Sequence, residues 1–132
     1  MSLKDIDHVA IPIEHVDELL TFYEELGFRL NRDHAPNFYS VHLGDTKINF
    51  HAPSVWHSDL FTLRGRDATP GCGDFCVVWE GTQDQLHGML NQNKVPIVKG
   101  PVERDGAMAG GRRGMSTYVR DPDGNLIEFI RY

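Results

Sequence analysis

The sequence predicts an α+β fold: a single domain of two successive strand–helix–strand–strand–strand modules, residues 4–52 and 72–132, joined by a loop over 53–71. Three observations carry this expectation. Short strands with alternating apolar residues flank one amphipathic helix, and the whole order of elements then repeats. A displacement of 66 residues, from His8 to Asp74, lays His8-Val9-Ala10-Ile11 over Asp74-Phe75-Cys76-Val77, with the helices needing one residue more. The chain then closes in a hairpin around Asp121-Pro122-Asp123-Gly124, whose Pro, Asp and Gly suit a tight turn.

In order, Asp5 to Ile13 reads as a strand with Val9, Ile11 and Ile13 on one face and His8 and Ala10 on the other. Val16, Leu19, Leu20, Tyr23 and Leu26 recur at helical spacing and stop at Gly27. Phe28–Arg32, Phe38–Leu43 and Lys47–Ala52 are extended, with a Gly44-Asp45 turn between the last two. In the last of these strands Ile48 and Phe50 oppose Asn49 and His51. Residues 53–71 form a loop with room for one short helix, long enough to act as a lid. The second module opens with a strand at Gly73–Glu80, then a helix between Thr82 and Lys94 carrying Leu86, Met89 and Leu90. Val95–Val98 is read as a short strand, Gly100–Gly114 as an irregular glycine-rich segment, and Met115–Arg120 with Asn125–Tyr132 as the closing hairpin.

A chain of 132 residues with 40% hydrophobic and 24% charged residues can bury a core of its own. Its net charge of −6 argues against nucleic-acid or anionic-membrane partners. No apolar run nears the roughly 18 residues that span a bilayer, and nothing at the N-terminus resembles a secretory leader. The expectation is therefore a cytoplasmic protein. Cys72 and Cys76 lack a C-x-x-C spacing and, on one strand, stand too far apart for a disulfide, so they read as small buried residues in a reducing compartment.

The repeat gives four side chains a common meaning. His8 and Asp74 sit on the first strand of each module, His51 and Glu128 on the last, each opposite the more apolar face. Glu128 stands out because a carboxylate amid Leu126, Ile127, Phe129 and Ile130 needs a partner. If the first and last strands were central in a curved sheet, these four would converge on one divalent ion such as Zn, Ni, Mn or Fe. Singly, each has an ordinary structural reading; together, at related places, they point to a shared metal. Arg112 and Arg113 fit a flap that closes on a substrate carboxylate or phosphate, while Trp56, Phe61, Trp79 and Tyr118 are aromatic candidates for contact with a small molecule.

The segments Asp-His8-Val-Ala-Ile, Phe22-Tyr23-Glu24-Glu25-Leu26-Gly27-Phe28 and Arg120-Asp121-Pro122-Asp123-Gly124-Asn125-Leu126-Ile127-Glu128 resemble the vicinal oxygen chelate superfamily. It takes in glyoxalase I, bleomycin and fosfomycin resistance proteins and extradiol dioxygenases. Lys47-Ile48-Asn49-Phe50-His51, Gly73-Asp74-Phe75-Cys76, Gly100-Pro101-Val102 and Arg104-Asp105-Gly106-Ala107 are similar to the small glyoxalase-domain-containing proteins. The resemblance implies paired βαβββ modules cupped around a divalent metal, in a homodimer, with the cup completed within one chain or across two. It implies His8 and Glu128 as metal ligands and sets His51 where glyoxalase I often has Glu. Asp74 departs from the His usual on that strand, which weighs against glyoxalase I activity and more strongly against iron-dependent ring cleavage. The expected activity is that of a lyase or isomerase on a substrate that chelates the ion through two adjacent oxygens, with Glu128 or Asp74 carrying the proton. Extradiol-type dioxygenation and non-catalytic binding of a small molecule are the alternatives.

Overall fold

The computed structural model describes residues 1–132, which divide into two compact units, Met1–Cys72 and Gly73–Tyr132. The first holds β1 (His8–Pro12), α1 (Val16–Glu25), β2 (Arg29–Asn31), β3 (Phe38–Leu43), β4 (Thr46–His51) and the one-turn α2 (Pro53–Trp56). The second holds β5 (Asp74–Val78), α3 (Gln83–Gln92), β6 (Lys99–Asp105), β7 (Arg113–Arg120) and β8 (Leu126–Arg131). Each unit contains one four-stranded mixed sheet, ordered β1-β4-β3-β2 in the first and β5-β8-β7-β6 in the second. In both, the first strand runs parallel to the last and the remaining pairs are antiparallel.

The apolar alternation decides which face of each sheet is covered. In the first unit Leu19, Leu20 and Tyr23 of α1 are fully buried with Val41 and Phe50 of the sheet. Tyr23 meets Phe28 and Phe50 ring to ring. Gly27, at φ +107°, ends the helix in a conformation that a Cβ disfavours. In the second unit Leu86 and Leu90 of α3 are buried together with Val119, Ile127 and Phe129. Thr82 caps α3: its hydroxyl accepts from the Gln85 amide at 3.1 Å while the Gln85 side chain takes the Thr82 N–H at 2.9 Å. The opposite faces, carrying His8, Asn49 and His51 in one unit and Asp74, Cys76 and Glu128 in the other, are left to polar chemistry.

Three expectations change. Val95–Val98 is not a strand, and the supposed irregular segment from Gly100 instead contains most of β6, a short 3-10 turn at Met108–Gly110 and the start of β7. The first strands, β1 and β5, are not central but lie at the edge of their own sheets. Both cysteines are exposed rather than buried.

Candidate functional site

In the second unit the Asp-Pro-Asp-Gly turn positions Glu128. Asp121 Oδ1 accepts the backbone N–H groups of Asp123 and Asn125, and Asp121 Oδ2 accepts the Asn125 side-chain amide at 2.8 Å. Asn125, fully buried, accepts in turn from the Gly73 N–H at 2.7 Å and so clasps the start of β5 to the start of β8. That clasp sets the register in which Cys76 lies beside Glu128 and Tyr118 beside Glu128 on the other side. Ser116 Oγ donates to Glu128 Oε2 at 2.8 Å, and the Cys76 thiol donates to the same oxygen at 3.3 Å. Arg104 Nε donates to the Tyr118 hydroxyl at 3.0 Å, with its guanidinium over the Tyr118 ring.

This cluster decides the charge of Glu128. Partial burial raises its pKa, but hydrogen bonds from Tyr118, Ser116 and Cys76, and the charge of Arg104, outweigh it and hold the carboxyl below its ordinary value. The Cys76 thiol moves the other way: burial first, then its bond to Glu128 and the charge of that group, push it up to about 12. Glu128 is thus a fixed anion with a protonated thiol beside it. A carboxylate offers about four lone-pair sites, so the donors on Oε2 do not exhaust its capacity. Asp74 is exposed and lies on the same face as Glu128, one ladder step (about 7 Å) along.

In the first unit His8 is half exposed, and its Nδ1 lies 2.6 Å from Asp7 Oδ1. A carboxylate at one ring nitrogen is the arrangement that second-shell acids impose on metal-binding histidines. The same bond, with the charge of His8, lowers the Asp7 pKa. His51 is different. It is buried, with its ring held edge-on by Phe38 and Phe61. Burial, and then the charge of Arg64, lower its pKa, so the imidazole is neutral at neutral pH. It borders a cavity of about 360 Å³ lined with Asn31, His34, Phe38, Ser40, Lys47 and Asn49.

The registers revise how the four candidates correspond. His8 pairs with Lys47 and Ala10 with Asn49, just as Asp74 pairs with Leu126 and Cys76 with Glu128. The first-unit counterpart of Glu128 is therefore Asn49, and His51 lies one ladder step further on. His8 and His51 share a face but sit four residues apart along adjacent strands, about 13 Å. Among the described residues, neither unit by itself gathers three His, Cys, Asp or Glu side chains suited to an ion.

The remaining candidates divide. Tyr118 stands in the Glu128 cluster. The Trp79 indole N–H donates to the Thr82 carbonyl at the start of α3. Arg112 stacks 4.5 Å from the centre of the Tyr132 ring, and Arg113 pairs with Glu103 and Asp105. The arginine that reaches the carboxylate cluster is Arg104, which the sequence reading missed along with Ser116. On β6 the alternation of Lys99, Val102 and Arg104 is too weakly apolar to mark a strand, so their common face went unseen.

A domain of two mixed sheets, each with a parallel first and last strand and one polar face, defines a glyoxalase fold. The chain belongs to the Glyoxalase/Bleomycin resistance protein/Dioxygenase superfamily, which it matches over residues 5–129. It is 35% identical to virulence protein STM3117 of Salmonella typhimurium over all of this chain and 87% of that protein. The crystal structure of that protein superposes with a TM-score of 0.84, covering 100% of this chain and 99% of the other. The glyoxalase domain-containing protein RDO1 of Mycosarcoma maydis is 30% identical over 100% of this chain and 70% of its own length. In fold alone the chain is also similar to lactoylglutathione lyase from Agrobacterium tumefaciens (TM-score 0.72, 19% identity, 98% and 95% of the two chains). The same holds for TnmS3, an antibiotic binding protein from a Streptomyces species (0.73, 18%, 99% and 98%). No helix among the described residues is long and apolar enough to cross a membrane.

Proposed function

We propose that this chain is a divalent-metal-dependent lyase or isomerase of glyoxalase type, acting as a cytoplasmic homodimer on a small substrate with two adjacent oxygens. The observation that carries the reading is Glu128: an anion fixed on a polar sheet face, with lone pairs to spare. His8, held by Asp7 at Nδ1, offers its second ring nitrogen as the matching ligand. Asp74 adds a second carboxylate, and His51 or Asn49 a further donor, within one chain or across two. An oxygen-rich set of this kind suits Mn or Fe at least as well as Zn. When bound, the ion would supply Lewis acidity to the substrate oxygens.

The protein's own groups divide the remaining work. A carboxyl held below its ordinary pKa is a better ligand than base, which moves the proton-carrying role away from Glu128. Asp74, exposed on the same face one ladder step away, is the carboxylate left for it. Tyr118, with its hydroxyl between Arg104 and Glu128, is placed to orient a substrate oxygen.

The test is elemental analysis of protein purified without chelator or added metal, beside Glu128→Ala. About one divalent ion per chain is expected in the parent, with at least tenfold weaker retention in the variant. Unchanged metal content in the variant would remove the core of the proposal. A non-catalytic binding role is the second reading, favoured by the first-unit cavity, which is lined by polar groups that need no ion.

A further inference from the structure

We propose that the first-unit cavity is a binding site for a small organic oxyanion, a carboxylate or a phosphate ester, held by Lys47 and Asn49 with its apolar body against Phe38 and His51. It rests on the second, non-catalytic reading of this cavity, with Asn49 and His51 as ligand contacts and not as metal donors, and requires no ion. Three observations converge.

The first is His51. It is 8% exposed, yet among the described residues its ring makes aromatic contacts and no hydrogen bond. Its nitrogens are also not among the fully enclosed atoms that lack partners. A buried imidazole whose polar edge reaches a cavity is a group built to meet something there.

The second is the charge of the lining. Lys47 is a cation, Asn31, His34, Ser40 and Asn49 are polar, and no Asp or Glu lines the cavity. Asp33 borders the cavity through Asn31, whose side-chain amide donates to the Asp33 carboxylate at 3.1 Å, and Asp7, which pairs with His8, also feels the charge of Lys47. In a protein of net charge −6, a lining whose one formal charge is the cation of Lys47 favours an anion.

The third is shape. Asn49, with no partner among the described residues, and Lys47 stand on one strand, two and four residues before His51, so all three project from the same face. Phe38 lies directly across from His51 on β3. A volume of about 360 Å³ is at the small end of ligand pockets and fits a compact molecule with one charged head.

Metal-stripped full-length protein is titrated with benzoate, phenyl phosphate and the neutral isostere benzamide, while the His51 imidazole proton resonances are followed by NMR. Saturable shifts of His51 with benzoate or phenyl phosphate, absent with benzamide, support the site, and the stronger of the two acids names the head group. Lys47→Gln should weaken that binding by about tenfold or more, as loss of a charged hydrogen bond does, and His51→Gln should abolish it while leaving the amide spectrum folded. Equal shifts with benzamide, no shift with either acid, or wild-type affinity in Lys47→Gln would overturn the proposal. Because the protein is stripped of metal, failure here leaves the metal measurement standing, and the converse.

Discussion

The Cys76–Glu128 pair joins two groups whose ionisation moves in opposite directions. Burial of the sulfur, and then its bond to a carboxylate that already has Ser116 and Tyr118 as donors, keep the thiol protonated at neutral pH. Alkylation needs the thiolate, so Cys76 should react slowly with iodoacetamide at about pH 8 despite its exposure. Glu128→Gln removes the charge and should speed that reaction by about tenfold for each pKa unit recovered. Peptide mass spectrometry separates Cys76 from Cys72; equal Cys76 rates in parent and variant would sink the claim. This neighbourhood was only half legible in the sequence. Strand parity put Glu128 and Cys76 on the right faces, and the need of Glu128 for a partner was plain from its apolar surroundings. Parity could not choose between Asn49 and His51 as the counterpart of Glu128, because both lie on one face of β4. That choice rests on how β4 slides against β1, a non-local pairing.

At the level of elements, the misread stretch is instructive. β6 alternates half-buried Val102 and Arg104 with exposed Glu103 and Asp105, a pattern with too little apolar contrast to announce a strand. Its glycine looked like a sign of irregularity, yet at Gly100 β6 lies directly against the backbone of β7. It sits at φ +111°, and a Cβ there would lie 2.4 Å from the Ser116 carbonyl oxygen. Backbone on one side and the dihedral on the other leave no side chain a place. Gly100→Ala should therefore destabilise the protein by about 1–3 kcal/mol, read as a lower urea midpoint. Because Ser116 neighbours this contact and holds Glu128, the variant should also loosen the carboxylate cluster. A midpoint within error of the parent would show that β6 can retreat without cost. The helices, by contrast, were legible almost to the residue: apolar spacing, Gly27 and the Thr82 cap are local signals that tertiary packing had no reason to override.

The whole chain is a repeat, and the repeat was its most legible property. β1 and β5 begin 66 residues apart and the two sheets share one strand order, although the sequences hardly resemble each other. What pattern alone could not supply was where each sheet ends. Both first strands lie at a sheet edge, with Val9 46% and Val78 49% exposed. Open edges bearing β-branched apolar residues offer unpaired backbone groups to another strand, and proteins that stay monomeric usually guard them with charge or proline. Here Pro12 guards only the end of β1 and Asp74 only the start of β5, and no Lys or Arg lies on either strand. For the homodimer proposed above, these edges are the surface we assign to its interface. Sedimentation equilibrium should accordingly give twice the 15.0 kDa chain mass for the parent. Val78→Lys, which sets a charge on the β5 edge while leaving the buried face of its sheet untouched, should shift the equilibrium toward the single chain by about tenfold or more. A parent that sediments as one chain, or a lysine variant that dimerises as well as the parent, would place the partner elsewhere and leave the exposed valines without a role.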